Sequence, residues 1–149
     1  MTRGFTEILI IVVTTIEAGL LMFISEVIQK IMNEMDEATF KHFLGRLEHY
    51  AMRSPTAMAG SLLTTIACIP YFIFFGFNNW WFTAGIVVWF LSSVASKIFN
   101  LPIYKKVGNL NNMDTAELKE ERRKLQTANI IRAMTTFLSV ILMVIGLAG

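Results

Sequence analysis

SPTAMAGSLLTTIACIPYFIFFGFNNWWFTAGIVVWFLSSVAS, residues 54–96, contains not one charged side chain. A helix needs roughly 20 apolar residues to cross the hydrocarbon core of a bilayer, so an uncharged stretch of this length holds two. The break between them is visible. Gly76-Phe77-Asn78-Asn79 has the composition of a tight turn, and Trp80-Trp81 follows where indole rings favour the membrane–water boundary. Two spans are therefore expected at residues 57–75 and 80–99. Pro70 falls inside the first of them and is tolerable there, because neighbouring helices can satisfy the carbonyl it frees.

Outward from this stretch the pattern continues. An apolar run at residues 6–32, with Glu17 as the interruption of its Ile8–Ile24 core, reads as a first span. It lacks a cleavage pattern before Glu26 and is read as a retained membrane helix rather than a secretory signal. Residues 33–55 are amphipathic: Phe40, Phe43, Leu44, Leu47 and Met52 fall near one helical face, with Lys41, Arg46 and Glu48 off it. Ser54-Pro55 ends that helix and starts the next. Downstream, Asn100-Leu101-Pro102 is expected to close the third span, since the residue before proline avoids helical geometry. A loop with Gly108, Asn109, Asn111 and Asn112 follows. Asp114-Thr115-Ala116-Glu117 then reads as a capping box opening a helix of about 30 residues, roughly 45 Å long. Its charged start, Glu117–Lys124, belongs in water, which puts the fourth span at 127–148. The expected fold class is an all-α membrane protein: one integral membrane domain, 1–149, built as a four-transmembrane-helix bundle. It has an amphipathic cytoplasmic helix between spans 1 and 2 and a long, partly cytoplasmic fourth helix.

Charge placement sets the orientation. Lys30, Lys41, Arg46 and Arg53 lie between spans one and two, and Lys97, Lys105, Lys106, Lys119, Arg122, Arg123 and Lys124 between three and four, against Arg3 alone on the other face. The positive-inside rule makes both basic loops cytoplasmic and both termini extracytoplasmic in a multi-pass protein of the cell (inner) membrane. Only 16% of residues are charged, where a soluble domain carries about 25%, so the partner is the lipid bilayer. A net charge of +2, with the basic residues beside spans, argues against nucleic acid. The single cysteine, Cys68, excludes an internal disulfide and reads as a small buried apolar residue. Four short helices bury little area on their own, so a homo-oligomer is expected.

Ionisable groups inside a membrane are costly and mark function by default. Glu17, near the middle of span one, reads either as a hydrogen-bonded carboxyl at a helix–helix interface or as a proton-handling or ligand-binding group. Glu26 lies out of phase with it and is expected to pair with Lys30 at i,i+4. His42 and His49 share a helical face beside Glu48. They suit acid–base work or ligation of a metal or haem, although seven residues, about 10 Å, is too far for both to hold one ion. Asn100, Asn129 and Arg132, at one depth on adjacent helices, form either caps with a snorkelling arginine or a polar mouth over an apolar interior.

The run Phe99-Asn100-Leu101-Pro102-Ile103-Tyr104, a polar helix of about 25 residues, and Asn129-Ile130-Ile131-Arg132 leading into a last apolar helix resemble the anthrone oxygenase-like family of small four-helix membrane proteins. Ala18-Gly19 fits the family's small-residue position in the first span, and Lys124-Leu125-Gln126 stand where members commonly carry tryptophan. The resemblance implies oxidation of an anthrone by molecular oxygen without a usual redox cofactor. The catalytic set would be His42 or His49 as base, beside Glu48, with Arg132, Asn129 and Asn100 holding the enolate oxygen. The expected function is an oxidoreductase or oxygenase acting on a small lipophilic, aromatic or quinone-like substrate. Its rivals are a lipid or small-molecule binding or transport module and a non-catalytic accessory subunit.

Overall fold

The computed structural model describes residues 2–111 and 114–149, with side chains for all of these except 56–61. Five helices follow one another: α1 (Arg3–Glu34), α2 (Glu37–Ala51), α3 (Pro55–Phe75), α4 (Trp80–Asn109) and α5 (Thr115–Ala148). No strand occurs among the described residues. By length and composition α1, α4 and α5 can each cross a membrane, and Leu62–Phe75 of α3 is a shorter apolar helix. Their outward faces are apolar: Ile8, Val12 and Ile16 on α1, Ile69 and Ile73 on α3, Phe90 and Ile98 on α4, Phe137 and Ile141 on α5 are all exposed. So many outward aliphatic and aromatic side chains belong against lipid. The chain is a membrane-embedded helical protein.

The α4–α5 hairpin is the spine, with α1 against α5 and α3. Close approach depends on two glycines. A Cβ on Gly85 would lie 2.8 Å from the Ser139 carbonyl oxygen, and one on Gly146 only 2.5 Å from the Phe82 backbone nitrogen. Between them Ser92 hydrogen-bonds Thr136 and Thr135, both at 2.9 Å, so hydroxyls as well as glycines line the seam.

The stop expected at Asn100-Leu101-Pro102 does not occur. Helix α4 runs through Pro102 to Asn109, so Gly108 and Asn109 of the expected loop are helical, Asn111 lies beyond the helix, and Asn112 is outside the described residues. The physical reason is packing beyond the proline. Ile103 and Val107 are buried with Phe40 and Leu44 of α2 and Leu118 and Leu125 of α5, which outweighs one lost hydrogen bond. α4 and α5, 30 and 34 residues, are thus about 45 and 51 Å long and outreach a hydrocarbon core of ~30 Å. Beyond it they form, with α2, a second tier whose flank carries Lys106 between Glu117 (2.8 Å) and Glu121 (2.9 Å).

Two local expectations also change. The capping box at Asp114 does not form, because Asp114 Oδ2 accepts from the Asn111 backbone N–H (2.9 Å) and Glu117 turns to Lys106. Glu26 and Lys30 make no ion pair, as a π-helical turn at Ile24–Ile28 widens the helix there. Asp36, by contrast, caps α2, accepting from the Thr39 backbone N–H (3.0 Å) and hydroxyl (2.6 Å). The Thr39 hydroxyl, then its N–H, hold the Asp36 carboxyl below the usual range.

Candidate functional site

A groove of about 1040 Å³ opens along the flank of α4 and α5. Its walls are apolar, from Val88 and Leu91 at one end to Ile103 and Ile131 nearer the other, and its mouth carries Glu120, Arg123 and Lys124. Lys124 is taken up by Glu120 (2.6 Å) and Glu121 (3.0 Å), whereas Arg123 has no ion pair among the described residues. Among the described residues, the Arg132 guanidinium, the Ser96 Oγ and the Asn100 Oδ1 in this groove have no hydrogen-bond partner. Arg132 lines it half-buried, and among the described residues its guanidinium makes no hydrogen bond and no ion pair. Glu17 and Tyr104 lie within electrostatic reach but not in contact. The Ser96 Oγ is buried with no hydrogen bond. Asn100 lines the groove one turn further along α4, and its Oδ1 accepts from no described group.

Asn100 is held by a chain of carboxamides. Its Nδ2 donates to Asn129 Oδ1 (2.9 Å), and Asn129 Nδ2 donates to Gln29 Oε1 (3.0 Å). Gln29 Nε2 then donates to Asn33 Oδ1 (3.1 Å), and Asn33 Nδ2 to Gln126 Oε1 (3.2 Å). This ladder ties α1, α4 and α5 together across the bundle, and Asn100, Asn129 and Gln29 are all buried. Buried amides need such partners, since each unpaired group costs ~1–3 kcal/mol. Asn129 therefore faces the interior, while Arg132, three residues on, faces the groove.

The other anticipated residues lie elsewhere. Glu17 Oε2 accepts from Trp89 Nε1 (2.9 Å), a link between α1 and α4 of the interface kind. His42, Glu48 and His49 line a separate cleft of about 620 Å³ between α2 and α4, with Tyr104 on its far wall. This cleft shares no lining residue with the groove. Both histidines are exposed, and His49 Nε2 accepts from Arg53 Nη1 (2.7 Å). No group of three His, Cys, Asp or Glu side chains able to hold a metal occurs among the described residues. The anticipated bases thus stand in one cleft, Asn100 and Arg132 in another, and Asn129 in the interior between helices.

Several polar residues were not anticipated: Ser96, the ladder members Gln29, Asn33 and Gln126, and above all Glu7. Buried at the far end of the bundle, Glu7 Oε1 accepts from Arg3 Nε (3.0 Å), Tyr71 Oη (2.9 Å) and Asn79 Nδ2 (3.3 Å). Asn79 also donates to the Gly146 carbonyl (2.8 Å) and caps α4 through the Phe82 N–H. An Arg-x-x-x-Glu spacing at the start of the chain was the readable signal for Glu7. Comparison with protein-family models, with curated proteins and with solved structures returns no match.

Proposed function

We propose that this chain is a four-span protein of the cell membrane that holds a lipophilic small molecule in the α4–α5 groove, with Arg132 as its polar anchor. Arg132 carries the reading. A guanidinium inside an apolar groove, without a protein acceptor, is a costly arrangement that an acidic or oxygen-bearing ligand relieves. Its planar fork suits carboxylate or phosphate oxygens. The groove volume and apolar walls suit the body of an amphiphile. Binding is favoured over oxidation because the groove walls supply one carboxylate at the mouth, Glu120, and no histidine. In this topology the tier of α2 and the ends of α4 and α5 is cytoplasmic, as its basic residues support, and the Glu7 cluster faces the other side.

The test is to purify the protein in nanodiscs and identify retained small molecules by native mass spectrometry, beside Arg132→Leu. The expected result is a stoichiometric amphiphile in the parent protein, lost in the variant while helicity and melting are kept. Retention of the same molecule by Arg132→Leu would refute the assignment. Thiol labelling of cysteines placed at Asn78 and Gly45 checks the topology: opposite sides are expected.

A further inference from the structure

The direction of the amide ladder decides what the groove offers a ligand. Every link runs the same way, from Asn100 through Asn129, Gln29 and Asn33 to Gln126. Four of the five side-chain carbonyls accept a bond inside the ladder. The fifth, Asn100 Oδ1, accepts from no group among the described residues, and it belongs to the member that lines the groove. A second acceptor stands close by. Pro102 has no N–H, so the carbonyl of groove-lining Ile98 lacks its usual i+4 donor. Arg132 is donor-only. It lies three residues beyond Asn129, the residue Asn100 bonds, so about 4.5 Å further along the helix axis. Acceptors and a cation therefore sit within one turn of each other on facing helices.

We infer that the groove selects an amphiphile carrying a hydroxyl beside an anionic oxygen, as in a hydroxylated long-chain acid or a glycerophosphate headgroup. The anion meets Arg132, and the hydroxyl donates its hydrogen to Asn100 Oδ1. An alcohol leaves Arg132 unpaired, and a plain acid leaves the Asn100 carbonyl unpaired. Unpaired site groups of this kind are what let a polar pocket reject an analogue. Asn129 is a positioning residue, fixing which end of the Asn100 amide faces the ligand. The inference rests on the groove being a binding site, and the test separates the two.

The full-length protein in zwitterionic nanodiscs is titrated, with tryptophan fluorescence as readout, with four probes of equal chain length: hexadecanoic acid, 2-hydroxyhexadecanoic acid, hexadecanol and a 1-hexadecanoyl lysophosphatidic acid. The hydroxy acid or the lysophosphatidic acid is expected to bind at least tenfold more tightly than the plain acid, and which of them does so identifies the source of the headgroup. In Asn100→Leu the tenfold preference for the hydroxylated probes over the plain acid is expected to vanish. Equal binding of acid and hydroxylated acid by the parent protein, with binding still lost in Arg132→Leu, overturns this inference and leaves the groove reading standing. A persistent hydroxyl preference in Asn100→Leu overturns it as well. Binding of no probe, or binding indifferent to Arg132, sinks both. The parent-protein comparison decides the matter even if Asn100→Leu fails to fold.

Discussion

Replacing Asn129 by Leu removes two links of the ladder with little change in volume. It strands the Asn100 Nδ2 donor and the Gln29 Oε1 acceptor, on residues 5% and 1% exposed. Interhelical hydrogen bonds in membranes average ~0.6 kcal/mol and reach ~1.7, so two such bonds sum to roughly 1–3 kcal/mol. Burial of both stranded groups places the loss toward the upper end. Gln126→Leu is the control, because it ends the ladder at a single link on its exposed side and should cost under about 0.5 kcal/mol. Reversible unfolding in mixed micelles, followed by tryptophan fluorescence, reads both. A double-mutant cycle with Gln29→Leu adds a sharper test. Once Asn129 is gone, removing its acceptor should cost less than it does alone, giving a coupling of about 0.5 kcal/mol or more. An Asn129→Leu loss no larger than that of Gln126→Leu, or strict additivity with Gln29→Leu, would refute the ladder as a cooperative unit.

Other outcomes follow from the same packing. Gly146→Ala drives a methyl into the Phe82 backbone and should destabilise by ~1–3 kcal/mol, read as a lowered thermal midpoint in detergent, whereas Gly19→Ala, with open space around it, should not. The Asp36 carboxyl is depressed in the folded state, so its contribution to the α2 N-terminus is present above the unfolded value of about 4 and is lost as pH falls through the folded one. Protection of the Thr39 amide, relative to its intrinsic exchange rate, should therefore fall only below about pH 4, and Asp36→Ala should show reduced protection at every pH. Cys68, buried and unpaired, should resist a maleimide in the folded protein and react within minutes once unfolded; rapid labelling of the native state would contradict its place in the core.

Much of the fold was legible because the membrane reduces the problem to charge and length. The amphipathic helix within residues 33–55 and the α3 start at Pro55 follow from local chemistry, and of the two spans read in residues 54–96, α4 is long and apolar enough to cross a membrane while Leu62–Phe75 is a shorter apolar helix. Where local chemistry competed with distant packing, packing won. The stop at Asn100-Leu101-Pro102 was read from the proline alone, while Ile103 and Val107 find partners on α2 and α5 that a linear reading cannot see. The site was legible only in fragments. Asn100 and Arg132 do line one groove, as their shared depth suggested, but Asn129 is turned inward by Gln29, 100 positions away. Nothing in the spacing of Gln29 and Asn33 announces that partner. His42 and His49 share the face their seven-residue spacing implied, yet that face opens on another cleft.

The Glu7 cluster imposes an order of assembly. Glu7 precedes Tyr71 and Asn79 by more than sixty residues, so its carboxyl has only Arg3 until those helices are made. The Gly146 carbonyl, which shares the Asn79 amide with it, is made later still. Until then the end of the bundle is an open clasp, with no means to close over the Glu7 carboxyl. The final turn of α5 completes the latch, so truncation or delayed insertion there should be felt at the N-terminus, at the opposite end of the sequence.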